Sequence, residues 1–97
     1  MPKGYWVSMH WRPADPDKHA TYREIAIPAI RAAGGKFLVI GGKSQAREFG
    51  LEQRTVVVEF PSHEAALNAY ESEDYHRALA TLGYGAERDV RIVKGVE

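Results

Sequence analysis

Four histidines, one carboxylate behind a run of valines and three tyrosines beside apolar stretches are the residues of this chain suited to chemistry. His10 is the foremost of them. It sits mid-strand beside Ser8 and Trp6, where a buried imidazole near neutral pH can take a proton as a general base. A hydrogen-bonded interface histidine is the plainer alternative and the favoured one. Glu59 follows Val56-Val57-Val58; burial would raise its pKa and make it an acid or base, whereas a cross-sheet Lys or Arg would leave it structural. Tyr22, Tyr70 and Tyr75 each set a phenol against apolar surface, a pattern that core packing with the hydroxyl at the edge explains as well. His10, Tyr22, Glu59 and Tyr75 together form the candidate ligand pocket.

The histidines do not read as metal ligands. His10 lies on a strand, His19 and His76 on separate helices and His63 at a helix start. No two are spaced i, i+2 or i, i+4, and no carboxylate completes a ligand set. Gly34-Gly35 and Gly41-Gly42 are turn residues, because the order is helix–glycine–strand, whereas phosphate cradles run strand–glycine–helix. Ser62 and Ser72 suit helix caps, and neither sits in a nucleophile elbow. No cofactor is expected.

Composition narrows the class. Ninety-seven residues make one domain, residues 1–97, with enough chain for a single core. The absence of cysteine rules out disulfides, thiolate metal sites and a thiol nucleophile. Thirteen basic residues balance thirteen acidic ones, so the footprint of a nucleic-acid or acidic-membrane binder is missing. No apolar leader and no stretch of membrane-spanning length is evident. A cytoplasmic protein without nucleic-acid or membrane partners is the expectation.

The elements that must position these residues follow from periodicity. Gly4–Trp11 alternates as a strand, with Tyr5, Val7, Met9 and Trp11 on one face and Trp6, Ser8 and His10 on the other. Asp15 caps a helix that starts at Pro16 and runs to about Ala33. Its stripe is His19, Tyr22, Ile25, Ala26, Ala29, Ile30 and Ala33. Ile27 falls off that stripe and is a candidate for contact outside the core. Pro28 should kink the helix, at a cost of about 3 kcal/mol in isolation, and Gly34-Gly35 ends it. Lys36–Gly41 is a second strand, Thr55–Phe60 a third, and residues 42–53 a polar connection carrying Phe49 and Leu51. Ser62 and Ser72 divide the second helical region into two; Gly83 stops it, and Asp89–Lys94 is the last strand.

The order β-α-β-β-α-β predicts an α+β, ferredoxin-like plait: a four-stranded antiparallel sheet with its helices on one face. The uncovered face should then be polar, yet strand two is apolar on both sides and strand one carries bulky residues on both. A sheet apolar on both faces is covered on both. Two sheets packed face to face about a twofold axis are the simplest cover. The expected partner is therefore a second copy of the chain, beside a small-molecule ligand.

The segment R-T-V-V-V-E-F-P-S-H-E-A-A of Arg54–Ala66 resembles an RNA-recognition motif, but Val56 and Val58 stand where that family stacks bases on aromatic rings. A second resemblance covers essentially the whole chain. Gly4-Tyr5-Trp6-Val7, the G-G-x-F-L-V-x-G-G of Gly34–Gly42, V-V-V-E-F-P-S at Val56–Ser62, A-Y-x-S-x-x-Y at Ala69–Tyr75 and the closing I-V-K-G are similar to the family catalogued as domain of unknown function 1330. The resemblance implies a dimeric α/β barrel, in which two ferredoxin-like subunits face their sheets together. Members usually carry Leu-Glu-Gly after the second strand, where this chain has Arg47-Glu48-Phe49 and then Gly50. They also carry an Arg and a small-residue–Ser pair after the second helix, where Leu82, Gly85 and Ala86 stand. Any ligand site built on those positions in relatives does not transfer to this chain. Relatives on the fold include cofactor-independent oxygenases, isomerases and haem-degrading enzymes. The implied function is a homodimeric small-molecule-binding protein, extending to a cofactor-independent enzyme on a small apolar or aromatic metabolite. The alternative is a non-catalytic ligand-binding or structural dimer module.

Overall fold

A computed structural model describes residues 2–97. The chain runs β1 (Gly4–His10), α1 (Pro16–Ala32), β2 (Lys36–Ile40), β3 (Thr55–Phe60), α2 (His63–Glu71), α3 (Glu73–Leu82) and β4 (Arg88–Lys94). The strands form one antiparallel sheet in the order β2-β3-β1-β4. This is the ferredoxin-like α+β plait that the element order predicts, with α2 and α3 together in the place of its second helix.

Capping sets the helix limits as the sequence implies. The Asp15 carboxylate accepts from the Lys18 N–H ahead of Pro16, and Ser62 Oγ accepts from the Ala65 N–H. Ser72 serves two helices at once. Its backbone N–H and its hydroxyl both donate to the Ala69 carbonyl at the end of α2, and its Oγ accepts from the Tyr75 N–H at the start of α3. One residue thereby satisfies groups orphaned at both ends of the break. At the end of α1, Gly34 takes the left-handed conformation (φ 95°), which glycine enters without steric cost.

α1 is continuous through Pro28. That residue is exposed, so the carbonyl that loses its helical partner lies on the water side, where solvent replaces the bond. The core lies between the sheet and the helices. It is built from Trp6, Val58 and Phe60 on the strands, Tyr22, Ala26 and Ile30 on α1, and Ala66, Ala69, Tyr75, Ala78 and Leu82 on α2 and α3. The Trp6 ring lies 5.1 Å from Phe60 and 4.8 Å from Tyr75, and its indole N–H donates to the Ala66 carbonyl at 2.8 Å. Gly4 permits this approach of α2 to the sheet, since a Cβ there would collide with the Ser62 carbonyl and the His63 backbone.

The molecule is a slab, 35 × 34 × 17 Å between Cα extremes. Its thickness is one sheet and one layer of helix, and among the described residues no helix covers the far face of the sheet, which has only Phe49 and Leu51 beside its Met9 end. A bulge at Leu38 between the Phe37 and Val39 pairings turns Phe37 and Ile40 inward and leaves Leu38 and Val39 outside. With Met9 and Val93 these make the exposed apolar part of the far face.

Candidate functional site

The cleft that could hold a ligand opens between α1 and the sheet. α1 packs chiefly on α3, and the space left beneath it is lined by side chains of β1, β2, β3, β4, α1 and α3. Its inner walls are apolar: Ala26, Ile27 and Ile30 from α1, Phe37 and Ile40 from β2, Val56 and Val58 from β3, and Val90 from β4. Ile27 belongs here. It is half-buried and lies outside the core cluster, off the helical stripe, where the cleft is lined.

The polar end gathers around His10, the last residue of β1 and only 5 % exposed. His10 pairs with Arg88 across β4, and its backbone N–H donates to the Arg54 carbonyl at 2.9 Å. His19 on α1 meets it edge to face, with ring centroids 5.4 Å apart, and stacks on Tyr22 at 5.9 Å. The Tyr22 and Tyr75 hydroxyls are 2.7 Å apart, and Arg88 Nη1 donates to the Tyr22 oxygen at 3.2 Å while its guanidinium lies 5.2 Å from the Tyr22 ring centre. The phenols that the sequence places at the edge of the core are therefore joined inside it. Neither imidazole is hydrogen-bonded through its ring nitrogens among the described residues, and no buried side-chain nitrogen or oxygen lacks a partner. His10 and His19 both line the cleft.

Burial, then the Arg88 and Arg54 guanidiniums, hold His10 below the ordinary imidazole range. His19 is pushed down to about 4 by burial first and then by Arg54, His10, Arg23 and Arg88. Both rings are neutral at pH 7 and able to accept a proton. Burial, followed by the neighbouring Tyr22, holds the Tyr75 phenol well above its usual range, so it stays protonated.

Of the four candidate pocket residues, His10, Tyr22 and Tyr75 converge on the cleft. Glu59 does not. It lies on the opposite face of the sheet, where its carboxylate accepts from the Tyr5 hydroxyl at 3.1 Å, and this placement is a correction. Strand alternation is the reason: Val56, Val58 and Phe60 point inward, so Val57 and Glu59 point out. Three cleft residues escaped the sequence reading, namely Arg23, Arg54 and Arg88. Alternation carried the signal for two of them, since Arg54 shares parity with Val56 and Val58, and Arg88 with Val90 and Ile92. His63 and His76 lie outside the cleft lining, and His76 is paired with Glu71 at the surface. Among the described residues no group of three His, Asp or Glu could hold a metal ion, and no helix is long and apolar enough to cross a membrane.

The model of the family described as domain of unknown function 1330 (DUF1330) matches residues 3–96. The chain belongs to the DUF1330 family. Curated proteins contain no match. Among solved structures, this DUF1330 chain is similar to a protein of unknown function from Rhodopseudomonas palustris, with 17 % identity, 99 % of this chain and 84 % of that one covered, and a TM-score of 0.73. It is also similar to SnoaB, a cofactor-independent oxygenase from Streptomyces nogalater, with 9 % identity, 99 % and 94 % coverage and a TM-score of 0.60. An ethyl tert-butyl ether D (EthD) family protein from Bacillus halodurans matches with 12 % identity, 99 % and 100 % coverage and a TM-score of 0.60. At these identities the likeness is one of fold.

Proposed function

We propose that this DUF1330 protein is a homodimer that binds a small apolar or aromatic metabolite in the cleft between α1 and the sheet of each subunit. One observation carries the reading: two neutral imidazoles with free ring nitrogens and an Arg88–Tyr22–Tyr75 hydrogen-bonded chain converge on a cleft whose other walls are apolar. A few placed polar groups in an apolar recess are what small-molecule sites consist of. In the catalytic form of the proposal, His10 takes a proton from the bound metabolite and Arg88 stabilises the resulting oxyanion. No cofactor is required for that step. SnoaB, a cofactor-independent oxygenase of the same fold, is compatible with it.

One observation favours the structural-module alternative. The free volume of the cleft is only about 40 Å³, room for about three or four waters at roughly 10–15 Å³ each. A metabolite must therefore reach out past the histidines, or α1 must lift. A thermal-shift and NMR titration against small aromatic and quinone-like metabolites separates the two readings, since a ligand of the folded state raises Tm. The binding reading expects hits that His10→Ala and Tyr22→Phe abolish, and consumption of a hit compound adds catalysis. A panel without hits supports the structural module.

The dimer half of the proposal rests on the uncovered sheet face. Leu38, Val39, Met9 and Val93 are each 38–47 % exposed in the isolated chain, around the half-buried Val7 and Val57. An exposed apolar stretch of this kind, rimmed by Lys36, Glu59, Asp89 and Arg91 on the same face, marks a protein interface. Sedimentation at micromolar concentration should give a dimer, and Val57→Lys should give a monomer. A wild-type monomer there refutes it.

A further inference from the structure

The chain is neutral overall, but its cleft is not. Three guanidiniums line it, those of Arg23, Arg54 and Arg88, and among the described residues no Asp or Glu does. Among the described residues none of the three forms an ion pair, although Arg12, Arg77 and Arg91 each find a carboxylate. Arg88 spends a donor on the Tyr22 phenol instead, and among the described residues the side chains of Arg23 and Arg54 have no hydrogen-bond acceptor. Guanidiniums massed without counter-charge repel one another and the histidines beside them. The effect is visible in Arg54, whose proton affinity falls through burial and then through Arg23. The fold makes room for this arrangement: Gly41, at φ 70°, is where any Cβ would collide with the Arg54 guanidinium.

We infer that the cleft takes an anionic ligand, a small carboxylate with an apolar or aromatic body, its charged end held between Arg23 and Arg54. This deepens the cleft reading above and rests on it. The position follows from what the two arginines border. With His10 and His19 they line both the cleft and the more open groove beside Pro13, Ala14 and Pro16. A carboxylate at that boundary leaves its apolar body facing Ile27, Phe37, Ile40 and Val56. Planar guanidinium matches a carboxylate two bonds at a time, and the neutral imidazoles can donate a further N–H. A phosphate fits less well. The nearby α1 N-terminus offers no cradle, because Pro16 brings no N–H and Asp15 has already taken the Lys18 amide.

The test titrates the full-length protein with benzoate, phenylacetate and hexanoate, each against its primary amide, by NMR and calorimetry. The acids should bind about tenfold or more tightly than their amides, with the difference shrinking as salt rises. Arg54→Gln and Arg23→Gln should each weaken the acids about tenfold and leave the amides within about twofold. Acids and amides bound equally would overturn the charge assignment and leave the cleft reading standing. Acids preferred equally by wild type and both variants would place the anion elsewhere and overturn it too. No binding of any probe up to about 10 mM, far weaker than a specific site, overturns both readings together.

Discussion

The two buried tyrosines give a quantitative test of the site's architecture, because they are unequal members of one hydrogen-bonded chain. Tyr22 stands in the middle, with the Tyr75 hydroxyl at 2.7 Å on one side and Arg88 Nη1 at 3.2 Å on the other. Tyr75 is the terminus and is 2 % exposed. Tyr75→Phe deletes one hydroxyl while Arg88 still serves the Tyr22 oxygen, so it loses one net hydrogen bond, about 1 kcal/mol. Tyr22→Phe takes the 2.7 Å partner from the buried Tyr75 hydroxyl, leaving it only the weaker contact with Arg88, and removes the Tyr22 acceptor of that half-buried cation. Those two losses together come to about 2–4 kcal/mol. Adding Tyr75→Phe to Tyr22→Phe then removes that weakly held hydroxyl, so the double variant should be no worse than Tyr22→Phe alone. The coupling in that cycle is about 1 kcal/mol or more. Urea unfolding followed by circular dichroism at fixed protomer concentration measures all three, with m unchanged. In Tm, Tyr75→Phe should lose about 4–8 °C and Tyr22→Phe at least about twice that. Tyr75→Phe costing as much as Tyr22→Phe, or strictly additive losses, would refute the chain.

Three further outcomes follow from the same structure. His19 titrates near 6.5 when unfolded and at about 4 when folded; the unfolded state then binds more protons between those values, so the stability His19 contributes is present above pH 6.5 and is lost as pH falls toward 4. His19→Gln should flatten that part of a stability–pH profile, and an unchanged slope would contradict the burial of the ring among arginines. Gly4→Ala should destabilise strongly, because the new Cβ meets the backbone of Ser62 and His63, which cannot swing aside; chemical denaturation with wild-type-like stability would show that α2 is free to shift. Ser72→Ala removes the cap of α3 and should cost about 1 kcal/mol, and hydrogen exchange should report the loss first at the amides of Glu73–Tyr75.

The plait itself was legible because its signals are local. Asp15-Pro16, Pro61-Ser62, Ser72 and Gly34 punctuate the chain where its period changes, and the strands and helices begin and end within a residue or so of those marks. Parity along the strands was legible as well, and applied strictly it excludes Glu59 from a face that holds Val58 and Phe60. It also brings Arg54 and Arg88 onto that face. The tie between Tyr22 and Tyr75 was beyond reach, since 53 residues separate them and only the packing of α1 on α3 brings the phenols together.

The gathering of polar groups at one end of the sheet is a consequence of topology. β1 ends at His10, and both its neighbours run antiparallel to it, so each starts where β1 stops. Arg54, immediately before β3, and Arg88, first in β4, must therefore flank His10 whatever the loops do. α1 begins six residues after His10, and its first two turns carry His19, Tyr22 and Arg23 back over the same end. Any chain with this plait brings those five positions and His10 together. What belongs to this chain is the choice of residues: arginine at three of the positions, no carboxylate among them, and imidazoles left without partners. Core stability does not explain that choice, since like charges in partial burial oppose folding. An anionic ligand does, because its arrival turns mutual repulsion into shared attraction.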